Sequence, residues 1–177
     1  TKINADGFYA FESFNYPHLV DAGINITYHT ERMLKPDWDK PMIPHFKLDN
    51  NVIIFSLFPG IREDLVRHVI ATPNLKSIVM RTFGSGNAPQ RPWVMHALKE
   101  ATHNGKVVIN ISQCIQGAVE MGRYDTGYQL QEAGVISGYD STVENAVTKL
   151  MYLQSSFDDP ETVRYYMRQS IRGEITV

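Results

Sequence analysis

The sequence predicts an α/β domain, a small parallel sheet with flanking helices, preceded by an N-terminal extension. Three observations predict it. From residue 51 onward short β-branched runs alternate with helix-period segments, the rhythm of strand, crossover helix and parallel strand. Residues 1–50 stay outside that rhythm and crowd Pro36, Pro41 and Pro44 into one stretch. The chain has 177 residues, 20% of them charged, which is long enough to bury a sizeable core and ordinary for a globular protein.

The extension comes first. INITYHT at 24–30 alternates like an edge strand, and the residues before it are too few to form a domain, so 1–30 reads as the tail of a preceding domain. The proline-rich segment makes 31–50 a linker, and 51–177 the α/β domain. In that domain VIIFSLF (52–58) is the first strand, and the turn at Pro59 and Gly60 leads into a helix. Its face carries Ile61, Leu65, Val66, Val69 and Ile70, with Glu63 and Asp64 in the acid-favouring first turn. SIVMRT (77–82) is the second strand, and a helix follows with Val94, Leu98 and Ala101 in helical register and Gly105 at its C-terminal cap. KVVINIS (106–112) is the third strand. QCIQGAVEMGRYDTG (113–127) is too polar and glycine-rich for a regular element, YQLQEAG reads as a short helix, and VISG as a fourth strand. Two helices close the chain, one capped by Ser141 or Thr142, the other starting at Asp158 or Asp159 with Pro160 in its first turn.

Composition excludes several partners. A net charge of −2 leaves no footprint for nucleic acid or an anionic membrane. The longest apolar runs are strand-sized, well below the roughly 20 residues of a membrane span, and TKINADG does not open as a secretory signal does. The one cysteine, Cys114, has no partner for an internal disulfide, which fits the cytoplasm. The six histidines show no metal-ligand spacing, and GSGN is neither a phosphate loop nor a dinucleotide fingerprint.

In parallel sheets, ligands bind beyond the carboxyl ends of the strands, and the three unusual loops FPGI, RTFGSGN and QCIQGAVEMGRYDTG all lie there. Arg81 offers a forked donor for a carboxylate, and Asn87 offers amide donors and an acceptor, a pair suited to a small amino acid or its amide. Arg81 reads equally as a structural ion pair. Cys114 reads as a small buried residue in preference to a nucleophile, since no histidine stands near it in sequence.

The strings TKINADGFYAF, FPGI, MRTFGSGNAPQ, INISQCIQGAVEMGRYDTG, GVISGYDSTVENAVTKL and IRGEIT occur in this order. The ordered set resembles the C-terminal half of the bacterial cytoplasmic, type I L-asparaginases, over essentially the whole chain. That resemblance implies hydrolysis of L-asparagine to aspartate and ammonia without metal or cofactor, through a covalent β-aspartyl ester on a threonine. A hydroxyl is a weak nucleophile at neutral pH and needs a base within reach, which the family supplies with a Thr-Lys-Asp group. Lys2 matches the catalytic lysine, and Thr1 ahead of it is grouped with the substrate or effector contacts. The nucleophile and the Thr-Asp pair have no match here, because the one Thr-Gly, at 126–127, lies in the wrong half. The chain is therefore expected to work with its own missing N-terminal domain.

The resemblance also places Arg81, Asn87 and Cys114 near a second, regulatory asparagine site found in allosteric type I enzymes. It implies identical subunits in a dimer or tetramer. Phe83, Ile115, Val119, Met121 and Tyr124 in the strand-end loops form an apolar load that a monomer would leave wet, which points the same way. The alternative is a non-catalytic domain that senses amino acids or serves interaction alone. Amidases acting on tRNA-linked glutamate share the fold, but nothing basic here supports an RNA-binding addition.

Overall fold

The computed structural model describes residues 1–122 and 125–177, so Tyr124 lies outside the described residues. It forms two compact units, residues 1–46 and 47–177.

In the first unit β1 (Val20–Ala22) pairs antiparallel with β2 (Ile26–Tyr28), Val20 opposite Tyr28. A single 3-10 turn, Thr30–Arg32, follows. Asp21 stands between two histidines, 2.8 Å from Nε2 of His29 and 3.3 Å from Nδ1 of His18. The hydrogen bond to His29 holds its carboxyl below the ordinary aspartate value. None of this unit's residues is buried, and Phe8, Ile24, Trp38, Met42 and Phe46 all stand exposed.

The second unit contains β3 (Val52–Ser56), α1 (Glu63–Ile70), β4 (Ser77–Thr82), α2 (Pro92–His103), β5 (Val107–Ser112), α3 (Asp125–Glu132), β6 (Ile136–Ser137), α4 (Val143–Ser156) and α5 (Pro160–Met167). The four strands are parallel in the order β3-β4-β5-β6, with Ser56, Arg81 and Ile111 side by side in register. This is the expected α/β class.

Chain order and sheet order agree, and that fixes where the helices go. When successive crossovers are right-handed and the strands always advance in one direction, each crossover helix falls on the same face. Val66 and Ile70 of α1, Val94 and Leu98 of α2 and Leu130 of α3 accordingly share one core with Ile78, Met80 and Val108. The opposite face belongs to α4 and α5: Ala146, Leu150, Val163 and Met167 pack on Val79, Val107, Ile109 and Ile111. The strand residues alternate between the two cores with period two, as a sheet covered on both faces requires.

Thr142 Oγ1 accepts from the Asn145 amide at 3.2 Å and so caps α4, while Asp159 caps α5 ahead of Pro160. A salt bridge pins the C-terminal tail to α4, with Lys149 Nζ 2.6 Å from a Glu174 oxygen and the lysine almost fully buried. Burial alone would raise the Glu174 carboxyl, but Lys149 and the amides of Ile171 and Arg172 outweigh it and hold the value down to about 2.

Some expectations shift. Leu65 is exposed because Val66 and Ile70 take the inward row of α1, and Ile61 packs from ahead of the helix. α3 starts at Asp125, so residues that read as loop are its first turn. Gly127 explains the misreading: a Cβ there would sit 2.0 Å from the Met121 carbonyl oxygen, so the glycine serves close packing of backbone against the helix.

Candidate functional site

β3, β4 and β5 end side by side, and the loops that leave them are stitched together by polar contacts. Gln113, the first residue after β5, donates its side-chain amide to the carbonyls of Leu57, at 2.6 Å, and of Arg81, at 3.1 Å. Its backbone amide donates to Thr82 O at 2.9 Å. One side chain thus ties all three strand ends. Ser112 Oγ donates to the Gly84 carbonyl at 2.6 Å and accepts from the Cys114 amide at 2.9 Å.

The glycine loop after β4 is a closed turn. The amides of Gly86 and Asn87 both donate to the Phe83 carbonyl, at 3.1 and 2.8 Å, and Phe83 N donates back to Asn87 O at 2.9 Å. Gly86 has φ +108°, and a Cβ on it would meet Val119 at 2.7 Å and the Asn110 amide at 3.1 Å. Glycine is needed there for both the dihedral and the space. The loop after β5 lies against this turn, with Glu120 N donating to Ser85 O at 2.9 Å.

Arg81, next to the last residue of β4, and Asn87 and Cys114, on the loops after β4 and β5, therefore sit at one end of the sheet. Arg81 is half-buried, and its Nε is buried without a hydrogen-bond partner among the described residues. An unsatisfied guanidinium nitrogen at a strand end suits a ligand carboxylate or carbonyl. The Asn87 side-chain oxygen accepts from Thr126 Oγ1 at 2.8 Å, which couples the turn to the start of α3. Cys114 corrects the expectation of a buried thiol: it is exposed, because β5 ends at Ser112 and the chain leaves the sheet there. Val119 and Met121 reverse another expectation. They are 5% and 3% exposed and join the core under α2 and α3, whereas Ile115 stands 56% exposed.

Thr1 and Lys2 belong to the first unit. Lys2 forms an antiparallel bridge with Phe11, and the amides of Ile3 and Glu12 donate to Ala10 O and Thr1 O at 2.8 and 3.0 Å. The lysine side chain is exposed on that short ladder.

Gln113, Ser112, Asn110, Thr82 and Thr126 were not legible as site residues. Asn110 in the apolar run VVINIS was the available signal, since a polar side chain in a covered strand needs a partner.

The profile of the Glutaminase/Asparaginase C-terminal domain matches residues 51–167. The chain belongs to the glutaminase/asparaginase family. Within that family it is 43% identical to L-asparaginase 1 of Escherichia coli K12 over 99% of this chain and 52% of that protein. It is 39% identical to the human 60 kDa lysophospholipase over 99% of this chain and 30% of that protein. The crystal structure of L-asparaginase I from Vibrio cholerae superposes with a TM-score of 0.92 at 40% identity, covering all of this chain and 53% of that one. The chain thus spans about half the length of the asparaginases it matches, and its family and α/β fold are as the motifs implied. Among the described residues no helix is long and apolar enough to cross a membrane.

Proposed function

We propose that the protein carrying this chain hydrolyses L-asparagine to L-aspartate and ammonia, through an ester on a threonine that lies outside these residues. The observation that carries the reading is the 43% identity to an L-asparaginase over 99% of the chain. A threonine oxygen attacks the side-chain amide carbon, its proton passes to Lys2 and on to the departing ammonia, and water then cleaves the ester to free aspartate. No cofactor enters. Lys2 needs partial desolvation or a charge partner to act as a base, and the missing N-terminal domain would provide both. The exposed apolar side chains of the first unit support such a partner.

Arg81, with its unpartnered Nε, Asn87 and Cys114 form the effector side of the reading, and Thr1, next to Lys2 in the chain, is grouped with the substrate or effector contacts. Arg81 would grip the carboxylate of an asparagine bound at the strand ends in a cytoplasmic homo-oligomer, a dimer or tetramer. The domain bounds proposed above, 1–30, 31–50 and 51–177, belong to the same reading.

The test is ammonia release from L-asparagine by the protein at its relatives' full length, compared with the 177-residue chain. Release by the former and none by the latter is expected. Absence of release by the full-length protein would overturn the assignment.

A further inference from the structure

Beneath the strand-end turn lie two fully buried polar side chains on adjacent strands, Thr82 at the end of β4 and Asn110 within β5. Thr82 Oγ1 donates to Asn110 Oδ1 at 2.6 Å, and Asn110 Nδ2 donates to the Gly86 carbonyl at 2.9 Å. Asn110's own carbonyl accepts from Gly138 N at 2.7 Å, which fixes its backbone from the far side. The two bonds of the amide depend on each other. The Gly86 carbonyl is an acceptor only, so the nitrogen end of the amide faces it, and the Thr82 hydroxyl, which can donate or accept, takes up the oxygen end as donor. While the threonine hydroxyl donates to the oxygen, the nitrogen must face the Gly86 carbonyl. Without the hydroxyl, the buried Asn110 Oδ1 loses its Thr82 donor, and the amide loses what holds its far end in place.

Gly86 is followed by Asn87, whose side chain receives Thr126 Oγ1 at 2.8 Å. The relay therefore runs from β4 through β5 to the turn and on to the start of α3. We propose that Thr82 and Asn110 are positioning residues: the buried hydroxyl anchors the buried amide, the amide latches the Gly86 carbonyl, and the latched turn sets the affinity for asparagine at the strand ends. The inference rests on the asparagine reading above for its ligand, a small amino acid with a side-chain amide. The turn's geometry stands apart from that reading.

Two substitutions separate positioning from plain stability. Thr82→Val keeps the shape and removes the hydroxyl, whereas Thr82→Ser keeps the hydroxyl and removes a buried methyl, which lowers the melting temperature. In the full-length protein, Thr82→Val is expected to raise half-saturating asparagine roughly fivefold with kcat within about twofold, and Thr82→Ser to keep the wild-type half-saturation although it melts lower. Amide hydrogen exchange at Gly86 and Asn87 should quicken roughly fivefold in the valine variant and stay unchanged in the serine variant. Asn110→Asp, which keeps the acceptor for Thr82 and turns the donor toward Gly86 into an oxygen, should repeat the valine result and serves where that variant fails to fold. Unchanged exchange in the valine variant, or an equal shift in both Thr82 variants, overturns the proposal. A wild-type protein with neither turnover nor binding of asparagine overturns the asparagine reading, and exchange then still decides whether the pair latches the turn.

Discussion

Gln113 Nε2 lies 2.6 Å from the carbonyl oxygen of Leu57, a residue 56 positions earlier in the chain and two strands away in the sheet. The same nitrogen reaches Arg81 O at 3.1 Å, so the side chain lies across the end of β4 to join the strands on either side. Replacing it with leucine takes the side-chain donor from the Leu57 carbonyl, while Arg81 O keeps the bond from Leu57 N at 2.9 Å, at a cost of about 1–3 kcal/mol. Gln113→Leu should lower the urea midpoint accordingly, and Gln113→Glu at least as much, because a carboxylate would face two carbonyl oxygens. Wild-type midpoints in both variants would show that water replaces the bond without loss.

Gly86→Ala tests the turn itself. A positive φ costs a residue with a Cβ about 1–3 kcal/mol, and the methyl also meets Val119 at 2.7 Å. The double variant Gly86→Ala, Val119→Ala should recover the clash and not the dihedral strain. Chemical denaturation of the four species of that cycle measures the division. Full additivity would mean that the methyl and Val119 do not compete for space.

The tail latch gives a pH prediction. Glu174 sits at about 2, below its ordinary value, so its contribution is fully present above the unfolded value and is lost as pH falls toward 2. Wild-type stability should therefore decline on acidification below about pH 4.3, the unperturbed glutamate value, and Glu174→Gln should show a shallower decline. Breaking the pair from the lysine side with Lys149→Met strands the glutamate and costs about 3 kcal/mol. Parallel stability curves for wild type and Glu174→Gln would exclude the carboxylate as the titrating group.

Arg81→Ala removes the donor proposed to grip an effector carboxylate, a loss of about 1.5–3 kcal/mol at that site. In the full-length protein the expected outcome is lost or right-shifted sigmoidality against asparagine with little change in maximal rate. Hyperbolic kinetics in the wild type, or abolished turnover in the variant, would count against the regulatory role.

Much of the second unit was legible. SIVMRT became β4 to the residue, because a β-branched run bounded by Gly, Pro and polar residues leaves the chain few options. The strand-end location of the candidate site followed from topology alone. What lay beyond reach depended on long-range packing. Val119 and Met121 looked like surface, yet the loop that carries them folds back so that Val119 N donates to Tyr139 O at 2.9 Å. The relay through Asn110 joins residues 24 to 28 positions apart, and no local pattern announces such partners. Cys114 failed for the opposite reason: a residue type usually buried was placed where a strand had already ended.

The agreement between chain order and sheet order has a consequence for synthesis. During translation β4 finds β3 already outside the ribosome, β5 finds β4, and β6 finds β5, so each pairing closes one crossover and waits for nothing downstream. The helices that cover the Val79, Ile109 and Ile111 face are the last to emerge. Until α4 and α5 arrive, a nascent chain carries a finished sheet with one greasy side bare, and this is the interval in which a chaperone has something to hold.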